Sequence, residues 1–226
     1  MRHLKRIIAE NKSVLVIILG MIVVRSAFAD WYGVPTSSMY PTLIIGDRIV
    51  TNRLAYDVKI PFTDVVVKQL AEPQRGDIVT FTSPEDGIRL VKRLIGIPGD
   101  IVEMQGEELI INGVKADYSA ATGSVTAHTM PDYAGTQVML TEQLLGKQRS
   151  IILLQERLSL RSFGPVTVPA GQYMMLGDNR DNSKDSRYIG FVKRELLTGR
   201  VSRIAFSLDT EKFYLPRLDR FAASLL

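Results

Sequence analysis

A strand is predicted by the stretch Ile88-Arg89-Leu90-Val91-Lys92-Arg93-Leu94-Ile95, a run of mostly apolar residues that is followed by turn-forming ones. Successive side chains of a strand point to opposite faces, so Lys92 shares its face with apolar neighbours, namely Ile88, Leu90 and Leu94. A lysine in such a row extends its ammonium group to solvent, pairs with a carboxylate, or loses its proton. In the third case its neutral amine is a base.

Most of the chain after Asp30 has the pattern of β-strands. Strands are predicted over Ile78–Phe81, Ile88–Ile97, Gln137–Leu140, Ser150–Leu154, Val166–Val168, Gln172–Leu176 and Arg200–Phe206. The pair Asn112-Gly113 is the signature of a type I′ hairpin turn. A short helix is predicted near Lys193–Leu197. The sequence therefore predicts a mostly β protein.

The middle of the chain, between Asp100 and Pro169, is more polar and irregular than the rest, especially over residues 116–135. This change in composition predicts an insertion into a sheet whose strands lie before and after it. The predicted organisation is a β core formed by residues 32–102 and 166–226, with an inserted β-rich subdomain at 103–165.

Composition excludes several kinds of site. The 226 residues include no cysteine, which excludes thiol catalysis and disulfides. Since His3 lies in the N-terminal basic segment, a Ser-His-Asp triad or a histidine metal site would rest on His128 alone. The polar loop 177–187 lacks the glycine and glutamate spacing of a calcium loop. Neither a metal nor a cofactor is predicted.

The charge pattern argues against nucleic acid as a partner. The formal net charge is +4, but the charges are scattered, without a basic block or interleaved aromatic residues. Several basic residues instead precede the apolar run Val14–Val24; these are Arg2, Lys5, Arg6 and Lys12. This arrangement is typical of a segment that sets membrane topology.

The N-terminal segment has two interpretations. Extended to Ser13–Trp31, the apolar run is long enough for a transmembrane anchor, with residues 1–12 cytoplasmic and Arg25 reaching the membrane surface. Alternatively, the basic start, short apolar run and Ala27-Phe28-Ala29 form a cleavable secretory signal. Both interpretations predict that the body of the protein is exported.

A hydroxyl-rich loop at residues 35–43 contains Ser38, a nucleophile that a lysine base could activate. Lowering the pKa of a lysine by about two units requires roughly 2.7 kcal/mol of destabilisation of its charged form. Burial can supply this, since fully buried lysines shift by roughly 3–5 units. Thr36 and the Ser38 backbone N–H are candidate donors to the developing oxyanion.

Four ordered stretches together resemble the sequence boxes of bacterial type I signal peptidases. They are Pro35-Thr-Ser-Ser38-Met39-Tyr-Pro41-Thr-Leu43, Arg75-Gly-Asp-Ile-Val-Thr-Phe81, Val91-Lys92-Arg93-Leu-Ile-Gly-Ile-Pro-Gly-Asp100 and Gly177-Asp-Asn-Arg-Asp-Asn-Ser183-Lys-Asp185-Ser-Arg187-Tyr-Ile-Gly-Phe191. The resemblance implies an antiparallel β-sheet catalytic core. It is weak across residues 103–165.

The resemblance also implies roles for individual residues. Ser38 is the acylated nucleophile, Lys92 the general base, Thr36 an oxyanion-hole donor, and Ser183 orients the lysine amine. Structural ion pairs are implied for Asp178 with Arg93 and for Asp185 with Arg187. Shallow apolar pockets for the small −1 and −3 side chains of a preprotein are implied at Val34, Met39, Leu43, Leu90 and Val91.

By the same resemblance, the enzyme is an endopeptidase that cuts signal peptides from exported preproteins after small-X-small sites. Its partners are those signal peptides and the lipid bilayer. It is expected in the bacterial inner membrane as a single-pass protein, with its catalytic domain on the extracytoplasmic side. The resemblance favours a retained anchor over a cleaved signal, and Ala27-Phe28-Ala29 remains a candidate self-cleavage site.

Two other functions remain open from the residues. A self-cleaving serine/lysine domain of the SOS-repressor type would share the β fold, but it calls for a DNA-binding helical module where this chain has a hydrophobic segment. A non-catalytic exported β domain would lose its first 29 residues and would be indifferent to Ser38 and Lys92.

Overall fold

The computed structural model describes residues 11–27, 29–60, 63, 65–122 and 129–225, which form two α-helices, seventeen strands and two 3-10 turns. The helices are α1 (Lys12–Ala27) and α2 (Ser186–Ile189), and the 3-10 turns are Arg194–Leu196 and Leu218–Arg220. The strands before residue 100 are β1 (Ala29–Gly33), β2 (Asp47–Asn52), β3 (Asp57–Lys59), β4 (Val66–Gln69), β5 (Ile78–Thr82) and β6 (Arg89–Gly96). The following strands are β7 (Ile101–Gln105), β8 (Glu108–Ile111), β9 (Val114–Lys115), β10 (Asp117–Ala120), β11 (Gln137–Leu144) and β12 (Lys147–Leu154). The last are β13 (Phe163–Thr167), β14 (Gln172–Leu176), β15 (Val192–Lys193), β16 (Leu197–Asp209) and β17 (Leu215–Pro216).

The main sheet has the strand order β1-β2-β16-β5-β6-β14-β15, with β17 paired to β16. All its neighbouring strands are antiparallel. The strand predicted around Lys92 is β6, which lies between β5 and β14 with Lys92 opposite Val79. The prediction of a mostly β, antiparallel fold is therefore confirmed.

Smaller sheets are formed mainly by the residues between β6 and β14. One has the order β10-β11-β12, another β13-β7-β8-β9, and the pair β3-β4 lies earlier in the chain. The turn between β8 and β9 has positive φ at both central residues, 53° at Asn112 and 78° at Gly113. The predicted type I′ hairpin is therefore confirmed, because that turn requires φ > 0 at both positions.

The core consists of several clusters of buried apolar side chains, two of which lie on the main sheet near the site. One cluster holds the loop between β1 and β2 against the sheet; its buried members are Val34, Met39, Leu43, Ile49, Ile78, Val201 and Ile204. Another includes Val79, Phe81, Leu94 and Met175, with Leu90 packed against it. The first cluster fixes the loop that carries Ser38, and the second surrounds the strand that carries Lys92.

The N-terminal helix differs from the predicted membrane span over Ser13–Trp31. Helix α1 ends at Ala27, and Ala29–Gly33 forms strand β1, because its backbone pairs with Arg48–Asn52 of β2. Within the part of the chain that the structure describes, no helix is both long and apolar enough to cross a membrane. Most of the predicted cytoplasmic segment (residues 1–10), together with His3 and His128, lies outside the described residues.

The short helix predicted near Lys193–Leu197 is wrong in type. Only Arg194–Leu196 forms a single 3-10 turn, since Val192–Lys193 and Leu197 already belong to strands. A helix that was not predicted, α2, begins after Asp185, whose carboxylate accepts a hydrogen bond from the Arg187 backbone N–H. It ends at Ile189, and the positive φ of the following residue, Gly190, stops the helix.

Candidate active site

Ser38 lies in the loop that joins β1 to β2. The loop is anchored in the core by the buried side chains of Met39 and Leu43. In addition, the Leu43 N–H donates to the Met39 carbonyl at 2.9 Å. Asp47, at the start of β2, accepts a hydrogen bond from the Ile44 N–H at 2.9 Å. These contacts fix the backbone of the loop and leave the Ser38 hydroxyl directed toward β6.

Lys92 meets that hydroxyl. Its Nζ donates to Ser38 Oγ at 2.7 Å and to the Val91 carbonyl at 3.0 Å, and the residue is only 3% exposed. Burial lowers the pKa of Lys92 to about 8, although the carboxylates of Asp185 and Asp178 act in the opposite direction. The fold thus brings the Ser38 hydroxyl into contact with the Lys92 amine, whose lowered pKa favours the neutral form.

Thr36 lies at the open side of the same site. Its side chain is exposed, and its Oγ1 is 3.5 Å from Ser38 Oγ, with either atom able to donate. A hydroxyl at this position can donate to an oxygen that approaches the nucleophile from solvent.

Ser183 is buried beside the nucleophile loop. Its Oγ has no hydrogen-bond partner among the described residues, so the hydrogen bond to Lys92 implied by the resemblance is not formed in this structure. The hydroxyl lies over Gly177, where a Cβ would come within 2.2 Å of Ser183 Oγ and 2.5 Å of the Ser38 carbonyl oxygen. Only glycine at position 177 permits this close approach of the two segments.

The two expected ion pairs are present and connect the loop 177–187 to the rest of the site. Arg93 donates to both carboxylate oxygens of Asp178, at 2.8 and 2.7 Å, and Thr42 Oγ1 donates to the same carboxylate at 2.5 Å. Arg187 donates to both oxygens of Asp185, each at 2.8 Å, and Asp185 also accepts from the Gly177 N–H at 3.0 Å.

Sequence reasoning missed two asparagines that bind the nucleophile loop directly. The Asn179 backbone N–H donates to the Ser38 carbonyl and its side-chain Nδ2 to the Ser37 carbonyl, both at 3.1 Å. Asn182 Nδ2 donates to Ser37 Oγ at 2.8 Å. Both residues lie in the last of the four boxes, but a polar loop in a sequence does not show which of its amides face inward.

A buried charge cluster behind the site was also missed. Glu142 is fully buried, and its carboxylate accepts hydrogen bonds from Arg180 at 2.8 Å, Arg149 at 2.5 Å and the Tyr118 hydroxyl at 2.9 Å. Burial opposes ionisation of this carboxyl group, but the two guanidinium groups outweigh it and hold the pKa of Glu142 at about 2. The sequence showed only that one charged residue, Glu142, lies within the strand-forming stretch Gln137–Leu144.

A cleft of about 230 Å³ runs over the Ser38 hydroxyl and the Lys92 amine. The five residues to which the resemblance assigned substrate pockets all line it; they are Val34, Met39, Leu43, Leu90 and Val91. Tyr32, Ile88 and Arg89 line it as well. A small apolar cleft that ends at a serine and a buried lysine is the arrangement that a serine hydrolase with a lysine base requires.

Comparison with known proteins identifies the family. A family model described as signal peptidase, peptidase S26, matches residues 6–206. Signal peptidase I of Pseudomonas fluorescens is 33% identical over 95% of this chain and 78% of its own length. Signal peptidase I of Pseudomonas aeruginosa is 34% identical over 80% of this chain and 63% of its own length.

A solved structure of a signal peptidase I from Enterococcus faecalis is 35% identical, covers 58% of this chain and 97% of its own, and has a TM-score of 0.35. The match of the family model to most of the chain and the identity to the Pseudomonas relatives agree. The chain belongs to the signal peptidase family, peptidase S26, and is a type I signal peptidase, a serine peptidase.

Proposed function

We propose that this peptidase removes N-terminal signal peptides from exported preproteins, with Ser38 as nucleophile and Lys92 as general base. The observation that carries the proposal is the 2.7 Å contact between Lys92 Nζ and Ser38 Oγ. An exposed lysine would be almost fully protonated near neutral pH. Burial lowers the pKa of Lys92 to about 8, so a useful fraction of the amine is neutral.

Acylation begins when the neutral Lys92 amine accepts the Ser38 hydroxyl proton as Oγ attacks the carbonyl carbon of the scissile peptide bond. The carbonyl oxygen then carries the negative charge of the tetrahedral intermediate. When the C–N bond breaks, the Lys92 ammonium returns its proton to the departing amine of the mature protein. The signal peptide remains attached to Ser38 as an ester.

Deacylation repeats these steps with water in place of the serine hydroxyl. The Lys92 amine, neutral again, removes a proton from a water molecule as its oxygen attacks the ester carbonyl carbon. The C–O bond to Ser38 then breaks and Oγ takes the proton back. The buried position of Lys92 supports both steps, since each needs the uncharged amine.

Thr36 is proposed as an oxyanion-hole donor together with the Ser38 backbone N–H. We expect a Thr36→Val substitution to lower kcat for preprotein cleavage by about 100-fold with little change in KM, because the lost donor acts mainly on the transition state. Thr36→Ser, which keeps a hydroxyl, is the matched control and is expected to keep most of the activity. Equal kcat values for the Val and Ser variants would remove Thr36 from the mechanism.

Ser183 is proposed to orient the Lys92 amine, and the two ion pairs to hold its loop in place. Its buried hydroxyl has no other partner among the described residues and lies next to the nucleophile loop. The Arg93–Asp178 pair joins β6 to the start of this loop, and the Asp185–Arg187 pair closes its end. The loop therefore has little freedom to move away from Lys92.

The cleft supports cleavage after small-X-small sequences. The cleft has a volume of about 230 Å³, and we propose that its two shallow pockets take the small −1 and −3 side chains. The walls formed by Val34, Leu43 and Leu90 are apolar, which favours alanine over serine or charged residues.

Attachment to the membrane is proposed to run through α1. The apolar side chains of α1 that the structure describes are exposed, for example 53% at Val14, 63% at Ile17 and 64% at Met21, and no described residue covers them. Exposed apolar surface of this kind is favourable in contact with lipid. The basic residues before it favour a cytoplasmic N-terminus in the bacterial inner membrane, which puts the site on the extracytoplasmic side.

We expect membranes from cells that produce the protein to cut an added preprotein carrying an Ala-Gln-Ala site, immediately after the second alanine. The activity should remain with the membranes after a high-salt wash and dissolve only with detergent, because apolar contacts hold the enzyme there. Gel analysis with mass spectrometry of the product would identify the bond that is cut.

The matched substrate has phenylalanine in place of the −1 alanine and should be cut at least 100-fold more slowly, because a pocket that selects small −1 side chains excludes the ring. Membranes without the protein provide the background rate. Cleavage of both substrates at the same rate would refute the assigned specificity. Activity in the salt wash would refute attachment through α1.

A further inference from the structure

Arg89 lies at the rim of the cleft, where the rest of the lining is mostly apolar. It is exposed, it is the first residue of β6, and it lines the cleft together with Tyr32. Its guanidinium carbon is 5.9 Å from the centroid of the Tyr32 ring, within the range of a cation–π contact. The charge is therefore held near the cleft rather than free to extend into solvent.

Nearby carboxylates do not neutralise Arg89. Among the described residues none forms an ion pair with it; Glu85 and Asp86 of the preceding turn instead face Lys184 Nζ, at 2.7 and 3.8 Å. Asp30 faces Arg53 at 3.7 Å. Within the described part of the chain, the guanidinium group of Arg89 is thus a positive charge without a carboxylate partner at the mouth of the cleft.

An extended peptide in this cleft presents its side chains alternately. If the −1 and −3 side chains point into the apolar floor near Ser38, the −2 side chain points out toward the rim. Successive residues of an extended chain are about 3.3 Å apart, so a −2 side chain of moderate length comes within reach of a rim guanidinium group. In that orientation the −2 side chain, which the small-X-small pattern leaves unrestricted, lies on the rim side of the cleft, where Arg89 is.

We propose that Arg89, held against Tyr32, makes the enzyme select among preproteins by the charge at −2, favouring acidic side chains there and disfavouring basic ones. This inference rests on the proposed function and adds a third specificity position to it. The preference is electrostatic and exposed to solvent, so it depends on ionic strength.

The test uses three peptides that differ only at −2, in the series Ala-Glu-Ala, Ala-Gln-Ala and Ala-Lys-Ala. For the wild type at low salt we expect kcat/KM to be about five-fold higher with Glu than with Lys, a difference typical of exposed charge pairs. The ratio should approach one at about 0.5 M salt, where charges are screened within a few ångströms. In Arg89→Gln the ratio should be close to one already at low salt, and in Arg89→Glu it should invert.

Lys147→Gln is the matched control, because it removes the same charge from an exposed position outside the cleft. It should keep the wild-type Glu-to-Lys ratio. The proposal would be overturned if Arg89→Gln kept the wild-type Glu-to-Lys ratio of kcat/KM. It would also be overturned if the charge changed kcat/KM more at −4 than at −2. Failure of the wild type to cut even the Gln peptide would instead refute the proposed function, so the two failures are distinguishable.

Discussion

Replacement of Lys92 by methionine is expected to lower kcat for preprotein cleavage by about 1,000-fold or more, and Ser38→Ala to do the same. Nucleophile and base act as a unit, so removal of either leaves only the binding energy and the oxyanion donors. Methionine has nearly the length of lysine and is apolar, so it should fill the same buried space beside Leu90 and Leu94. Cleavage rates would be measured with purified protein in detergent.

The pH dependence of the wild type follows from the same burial. In the proposed mechanism only the neutral amine is active, and burial lowers the pKa of Lys92 to about 8, so kcat/KM should rise through pH 8 and then level off. With an ordinary lysine the rise would be centred near pH 10.4.

We expect Ser183→Ala to displace the midpoint of the wild-type pH profile, because it removes a hydroxyl proposed to orient the Lys92 amine.

The Lys92→Met substitution should also make the folded state more stable. Below pH 8 the amine is charged in both the folded and unfolded states, and its burial disfavours folding. Between pH 8 and 10.5 the unfolded state binds more protons, so wild-type stability rises with pH over that window. Lys92→Met should therefore raise the free energy of unfolding by on the order of 2–3 kcal/mol at pH 7 and by little above pH 10.5.

These measurements distinguish a base from a structural lysine. A merely structural Lys92 would give a Met variant that is less stable than the wild type, or one that keeps its activity. A pH profile with no midpoint below 10 would likewise contradict the assignment of Lys92 as the base.

Replacement of Glu142 by glutamine is expected to lower the free energy of unfolding by about 3–5 kcal/mol at pH 7. The change keeps the shape of the side chain but leaves Arg149 and Arg180, whose side chains are each 2% exposed, without a carboxylate. In a chain of this size the loss corresponds to roughly 10 °C in Tm. Thermal unfolding followed by circular dichroism would measure it.

The pH dependence again gives a specific sign. The pKa of Glu142 is held at about 2, below its ordinary value of 4.5, so the carboxylate stabilises the fold above pH 4.5. That contribution is lost as pH falls from 4.5 toward 2. The difference in stability between wild type and Glu142→Gln should therefore be constant above pH 4.5 and disappear near pH 2.

Glu108→Gln provides the matched control, because Glu108 pairs with Lys115 on the surface, where the two side chains are 52% and 61% exposed. Its loss should hardly change stability, since solvent screens such pairs. If the two glutamine variants unfold alike, the buried cluster does not stabilise the fold in the way proposed.

The Glu142 cluster also has a consequence for the active site. Arg180 follows Asn179, whose N–H donates to the Ser38 carbonyl, and the Arg180 N–H donates to the Ile152 carbonyl of β12 at 3.1 Å. The loop of the last box is thus held between β12 and the nucleophile loop. Loss of the Glu142 cluster should loosen the support of Ser38 as well as the smaller sheet.

Local features of the fold were predictable because short-range rules govern them. The apolar run at β6 and the Asn112-Gly113 turn follow from alternation and from the φ requirement of one turn type. Helix α2 was not predictable, because a four-residue helix has little periodicity and depends on the Asp185 cap and on packing. The end of α1 at Ala27 was also missed, since pairing with β2 turned the following residues into a strand.

The sequence by itself determined which chemistry was available: a serine in a hydroxyl-rich loop, a lysine in an apolar row, no cysteine, and four boxes in family order. Only the tertiary structure decided which groups meet, bringing together Lys92 and Ser38, 54 residues apart in the chain. It alone also enclosed Glu142 with Arg180 and, among the described residues, left Arg89 without an ion-pair partner at the cleft rim. The physical reason is that the pKa of a group depends on the water and charge around it, and distant segments of the chain supply that surrounding only after folding.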